Sequence, residues 1–231
     1  MSGYVGWSLP ANTLQLINAD IGPSPNVIWV SLAWTLSLAI GYALIGRMSD
    51  IFGRRYFFIT TTGLALIGSI VAATANGVNN LICANVLIGL GASGQLSFPT
   101  ILGELIPNKM RGPANGFVFF TSMPIAVFGP VIARSFIENL AQKWRWNYYL
   151  AIILNGIAII LFVFFYHPPK YNQLHVGGMS KRRQLASFDW VGVFLLTAGL
   201  VFFLVGLNWG EECTLGDLLT SLRRCWWAPS L

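Results

Sequence analysis

Long uncharged apolar intervals, separated by short breaks that carry nearly all the charge, run through most of this chain. A helix that crosses a bilayer needs roughly 20 mostly apolar residues, and these intervals can be measured against that length. Ile21 to Gly46 carries no charge and holds one span, beginning near Val27 after the helix-averse Gly22, Pro23, Ser24 and Pro25. Tyr56 to Gly103 is also uncharged but about twice the required length. The polar run Asn76 to Asn80 divides it into two helices. Gly112 to Ala133, Trp146 to Tyr166 and Trp190 to Trp209 each supply one more. The opening stretch, Tyr4 to Ile17, is too short to cross and contains Pro10, Asn12 and Gln15. It lacks the basic start and small-residue cleavage site of a secretory signal, and is read as the outer end of a first span whose beginning is missing. The pattern predicts an all-α, polytopic membrane helical bundle with a partial span 1, full spans 2 to 6 and a seventh span.

Composition agrees with this class. Of 231 residues, 55% are hydrophobic and 10% charged, against about a quarter charged in soluble domains. The net charge of +6 raises nucleic-acid binding as a reading, but the basic residues sit in short loops and form no contiguous patch. Nucleic acid is therefore not expected as a partner; the lipid bilayer is. Arg47, Arg54, Arg55, Lys109, Arg111, Lys170, Lys181, Arg182 and Arg183 fall on one side of the predicted topology, and only Arg134, Lys143 and Arg145 on the other. Cytoplasmic loops retain positive charge, so the side with nine cations is cytoplasmic. Cys83, Cys213 and Cys225 have no metal-ligand spacing, and His167 and His175 are read as solvated loop residues.

The most specific feature is the turn between spans 2 and 3, where Gly46, Asp50, Gly53, Arg54 and Arg55 follow the pattern Gly, three residues, Asp, two residues, Gly, two basic residues. The glycines permit a tight helix-to-helix turn, the aspartate can accept bonds from exposed backbone N–H groups, and the arginines suit an anionic surface. This turn resembles the span 2 to 3 loop of major facilitator superfamily transporters. Glu104 and Arg111, at the cytoplasmic end of span 4, are placed to complete a charge cluster with it. Gly129 and Pro130 in span 5 resemble the Gly-Pro motif of drug antiporters, where proline removes a backbone donor and glycine permits close packing or a kink. Trp144, Arg145 and Trp146 resemble the family's outer-loop motif. Residues 18–22, 49–57 and 128–136 carry a closer resemblance to the fungal trichothecene-efflux-like and siderophore-iron branch, from about Trp7 to about Gly210. That resemblance implies a fourteen-span type of fold represented by about its N-terminal half: residues 1–166 as six helices with the first incomplete, 167–189 as a cytoplasmic loop, 190–209 as an extra span, and 210–231 as a tail unlike the family.

Gly89, Gly91 and Gly94 match a dinucleotide-binding pattern by letters, yet they lie inside a span with no preceding strand. They are better read as a groove for close helix packing. No Asp, Glu, Lys, Arg or His lies deep in a predicted span, although ion and proton pathways generally use such groups. The polar candidates for a substrate path are Asn85, Gln95 and Asn155, each equally suited to hydrogen-bonding between helices. Asn85 falls where drug antiporters carry an arginine associated with proton coupling. No nucleophile-base pair, metal cluster or cofactor loop is found, so no catalytic residue, cofactor or metal is expected. The expected function is secondary transport of small molecules, as a toxin, drug or siderophore exporter of the plasma or vacuolar membrane. Alternating access uses two halves, so this half is expected to be inactive without a second half or an oligomeric partner. The competing expectation is a non-transporting membrane fragment or assembly partner.

Overall fold

The computed structural model describes residues 2–22, 25–139, 144–165 and 189–206, which contain helices and no strand. The opening segment forms α1 (Ser2–Ala11) and α2 (Leu14–Ile21). Their break at Asn12 and Thr13 is held locally: the Asn12 side chain donates to Ser8 O at 2.6 Å and the Thr13 hydroxyl to Pro10 O at 3.2 Å. Gly22, at φ 123°, ends α2 and donates its N–H to Asn18 O.

Next come α3 (Ile28–Phe52) and α4 (Arg54–Ala73), joined by Gly53 alone. Gly53 has φ 90° and donates to Ser49 O at 3.1 Å. A side chain there would be strained, so the tight turn inferred from the glycine spacing is a single residue. After Thr74 to Gly77 the chain returns along α4 as α5 (Val78–Leu96), followed by α6 (Phe98–Leu105), α7 (Arg111–Asn139) and α8 (Arg145–Phe165). Residues 25–27 and 108–110 are short 3₁₀ turns.

Among the described residues, four stretches are long and apolar enough to cross a membrane: Ile28–Gly46, Arg54–Ala73, Asn108–Ile137 and Arg145–Phe165. The chain is an all-α membrane helical bundle. The predicted span 4 differs from these four because α5 carries Asn79, Asn80, Asn85 and Gln95. It packs chiefly on α3 and α4, while α8 packs chiefly on α4 and α1. Small residues permit this: Ala65, Ala72, Ala84 and Ala92 are buried along α4 and α5. In lipid, where apolar tails leave little hydrophobic drive between helices, such close van der Waals contact is a principal source of association. One buried cluster joins Ile17, Val30, Leu81, Ile88, Trp144 and Tyr148; a second joins Val5 and Leu9 of α1 to Ala133 of α7 and Ala151 of α8.

Residues from Asp189 onward form a separate unit. Within it, α9 (Trp190–Gly206) is capped by Asp189, whose Oδ1 accepts from Gly192 N–H at 2.8 Å. The expected seventh span is helical over that range, and its last residues lie outside the described set, as do residues 167–188 of the expected 167–189 loop and the 210–231 tail.

Candidate functional site

The residues singled out by sequence fall into three places. At the end of the bundle that holds Gly53, Arg55 Nη2 donates to Val163 O at 2.7 Å, so the turn is tied to the last carbonyls of α8. A cation at a helix C-terminus is favourable because those carbonyls lack helical partners. Arg111 Nε donates to Ile106 O at 3.2 Å across the bend between α6 and α7. The side chains of Asp50 and Glu104 lie outside the described set. Gly46 is exposed at the same end of α3. Sequence reasoning did not find the bond to Val163, which no local pattern signals.

The second place is the interior. Asn85 is fully buried, and its Nδ2 donates back to Leu81 O at 2.9 Å on its own helix. The Tyr148 hydroxyl interacts with the Asn85 side chain, although neither it nor Asn85 Oδ1 completes a well-directed hydrogen bond. Farther along α5, Gln95 Nε2 donates to Asn155 Oδ1 at 2.6 Å, and Asn155 Nδ2 donates to Ala151 O at 2.9 Å. Two of the three polar candidates thus meet, linking α5 to α8, while Asn85 faces a tyrosine that the sequence did not single out. These groups are uncharged hydrogen-bonding groups, and among the described residues no cluster of three His, Cys, Asp or Glu side chains could hold a metal.

Packing glycines surround this interior. A Cβ on Gly89 would lie 2.6 Å from Trp34 O, and one on Gly91 2.6 Å from both Thr61 O and Ala65 N. Both contacts are with backbone, so these positions need glycine for close approach of α3 and α4 to α5. Gly129 is buried with an added Cβ 3.0 Å from Ser8 Oγ, and Pro130 follows it within α7, which runs on as a helix through both. The Gly-Pro pair is therefore a thin point against α1.

The third place is the opposite end. Trp144, 3% exposed, donates its indole N–H to Asp20 Oδ2 at 3.0 Å. Arg145 lies 5.3 Å from the Trp144 ring centre and donates to Ala75 O and Asn76 Oδ1 at 3.3 and 3.2 Å. Trp144 and Arg145, read from sequence as part of an outer-loop motif, here join the end of α2, the α4–α5 turn and the start of α8.

Comparison with known proteins decides the family. The model of the fungal trichothecene efflux pump family matches residues 2–215. The chain belongs to that family. The trichothecene efflux pump of Trichoderma arundinaceum is 38% identical over 211 residues, covering 91% of this chain and 35% of the relative. That of Fusarium sporotrichioides is 38% identical over 209 residues, 87% of this chain and 33% of the relative. A transporter of Penicillium citrinum named as major facilitator type is 27% identical over 208 residues, 87% of this chain and 34% of the relative. The chain spans about a third of the length of these curated relatives. Membership of this family agrees with the multi-pass membrane bundle described above, and the names of these relatives denote transport.

Proposed function

We propose that this chain provides the N-terminal half of an exporter of small toxic molecules, working by alternating access with a second set of helices. The observation that carries this reading is the family match over residues 2–215, joined to an interior whose paired polar groups, Gln95 and Asn155, are uncharged. Uncharged amides suit a neutral solute better than an anionic iron chelate, which would leave its charge unpaired in a medium of low dielectric. Asn85, Gln95 and Asn155 line the substrate path in this reading. Gly46, Asp50, Gly53, Arg54, Arg55, Glu104 and Arg111 form the switching cluster at the cytoplasmic end. Residues 1–166 act as the transporter half, 167–189 as its cytoplasmic loop and 190–209 as an extra span, with 210–231 as a tail outside the fold. The host membrane is the plasma or vacuolar membrane, which a fluorescent fusion in a fungal cell would locate.

Alternating access requires two bundles to rock about a central site, so the 231 residues alone are expected to carry no saturable transport. The test is efflux of a trichothecene, the solute that the relatives' names carry, from proteoliposomes. Transport by this chain together with a complementary second half, absent from either part alone, supports the proposal. Saturable transport by the 231 residues alone would overturn the two-half reading. Absence of transport in both cases would favour a non-transporting fragment.

A further inference from the structure

The helices α4 and α8 each carry an arginine in their first turn, and each arginine reaches the far end of the other helix. Arg55 of α4 donates from Nη2 to Val163 O, near the end of α8, at 2.7 Å. Arg145, the first residue of α8, donates from Nη2 to Ala75 O, just past the end of α4, at 3.3 Å and to Asn76 Oδ1 at 3.2 Å. The two helices therefore run antiparallel, with each N-terminal cation on the C-terminal carbonyls of its neighbour. Carbonyls there lack internal partners and favour a positive charge. Both arginines are half-buried. The Trp144 ring, 5.3 Å from the Arg145 guanidinium carbon, steadies that side chain further.

Between these ends the contacts keep the same register but offer no directional bond. Phe58 stacks on Phe162 with ring centres 6.2 Å apart, and midway an added Cβ on Gly156 would lie 4.0 Å from Leu66 Cδ1. Rings and methyl groups tolerate a slide of about 1–2 Å, the amplitude of helix shear. In lipid little hydrophobic drive opposes it. The arginines differ, because N–H···O bonds weaken steeply as their distance and angle depart from the optimum. A slide in either direction strains both ends at once, although they are separated by about 30 Å of helix at 1.5 Å per residue. Opening at one end strains that end alone.

We propose that Arg55 and Arg145 form a reciprocal lock that fixes the axial register of α4 on α8, so that the pair moves as one body. Gly53 immediately precedes α4. A displacement of that turn is thereby carried along the pair to the Arg145 end, at the opposite end of the bundle.

The test uses the whole chain in lipid nanodiscs, with Cys83, Cys213 and Cys225 changed to Ser, and spin labels on two diagonals of the pair. One diagonal joins Thr60→Cys to Ile153→Cys and the other Ile70→Cys to Ile160→Cys, all at exposed positions. Sliding shortens one diagonal as it lengthens the other, whereas opening lengthens both. With both arginines present, the two distance distributions are expected to be narrow. Arg55→Met and Arg145→Met should each broaden both distributions, and the double variant should broaden them by about 1–2 Å. Arg55→Lys and Arg145→Lys, which keep a charge and a donor, should stay narrow. Unchanged distributions in the double Met variant would overturn the proposal and leave register to packing alone. So would a lengthening of both diagonals, which shows that the arginines resist opening only. Lys variants as broad as the Met variants would also overturn it, because the bond to the carbonyl would then not be what holds the register.

Discussion

Two glycines on one helix-rich framework illustrate how local space sets the cost of a single carbon. A Cβ on Gly91 would lie 2.6 Å from Ala65 N and Thr61 O, whereas one on Gly63 meets nothing within 4 Å. Gly91→Ala therefore forces α4 and α5 apart and is expected to cost about 1–3 kcal/mol, measured by unfolding in a denaturing detergent. Gly63→Ala should be neutral or stabilising by up to about 1 kcal/mol, because it lowers the freedom of the unfolded chain without a clash. Equal effects at the two positions would mean that α4 and α5 do not approach as described. A second residue-scale expectation concerns the Trp144 indole and Asp20 Oδ2, 3.0 Å apart. Trp144→Phe keeps an aromatic ring, though a smaller one, and removes the N–H. Combined with Asp20→Asn in a double-mutant cycle, it should give a coupling of about 0.5–1.5 kcal/mol.

At the scale of elements, the ends of helices were legible in the sequence and many of their tertiary partners were not. Gly22 and Gly53 mark the ends of α2 and α3, and the polar run from Asn76 marks the α4–α5 turn, because backbone preference is local. Asn155 and Gln95 were recognisable as polar interruptions of apolar helices, but their meeting depends on how α5 and α8 are brought together across 60 positions of chain. Tyr148 was missed because an aromatic residue at the start of a span reads equally well as an interface anchor. Arg55 gives the clearest case: its motif predicts a role in the turn, while its bond to Val163 O joins α4 to α8 across 108 positions. Arg55→Gln retains donors but loses the charge that favours a helix C-terminus, whereas Arg55→Met loses both. Stability should fall in the order wild type, Gln, Met, with Met about 0.5–1 kcal/mol below wild type, since this contact is exposed and screened. A Met variant as stable as wild type would show that the contact contributes nothing to joining α4 and α8.

For the whole molecule, the proposed function draws its decisive distinction between residues that would set which face is open and residues that would meet the solute. Asp50 lies in the last turn of α3, three residues before the Gly53 link, at the end where Arg55 joins α8. Gln95 and Asn155 meet in the part-buried interior. In alternating access the site lies near the midplane, so a group at the helix ends influences the balance between states without contacting the solute. A change in that balance lowers transport even when intrinsic binding is retained, because turnover needs both states to be visited. With this chain joined to a complementary half, Asp50→Ala is therefore expected to reduce transport about tenfold or more while changing solute affinity about twofold or less. Gln95→Leu should show the reverse emphasis, weakening binding of a hydroxylated solute more than that of an apolar analogue, because only the former loses a hydrogen bond. Efflux and equilibrium binding measured on the same reconstituted variants, at equal protein per vesicle, separate the two effects. Full transport by Asp50→Ala would remove the aspartate from the switch and leave the turn as a structural link alone.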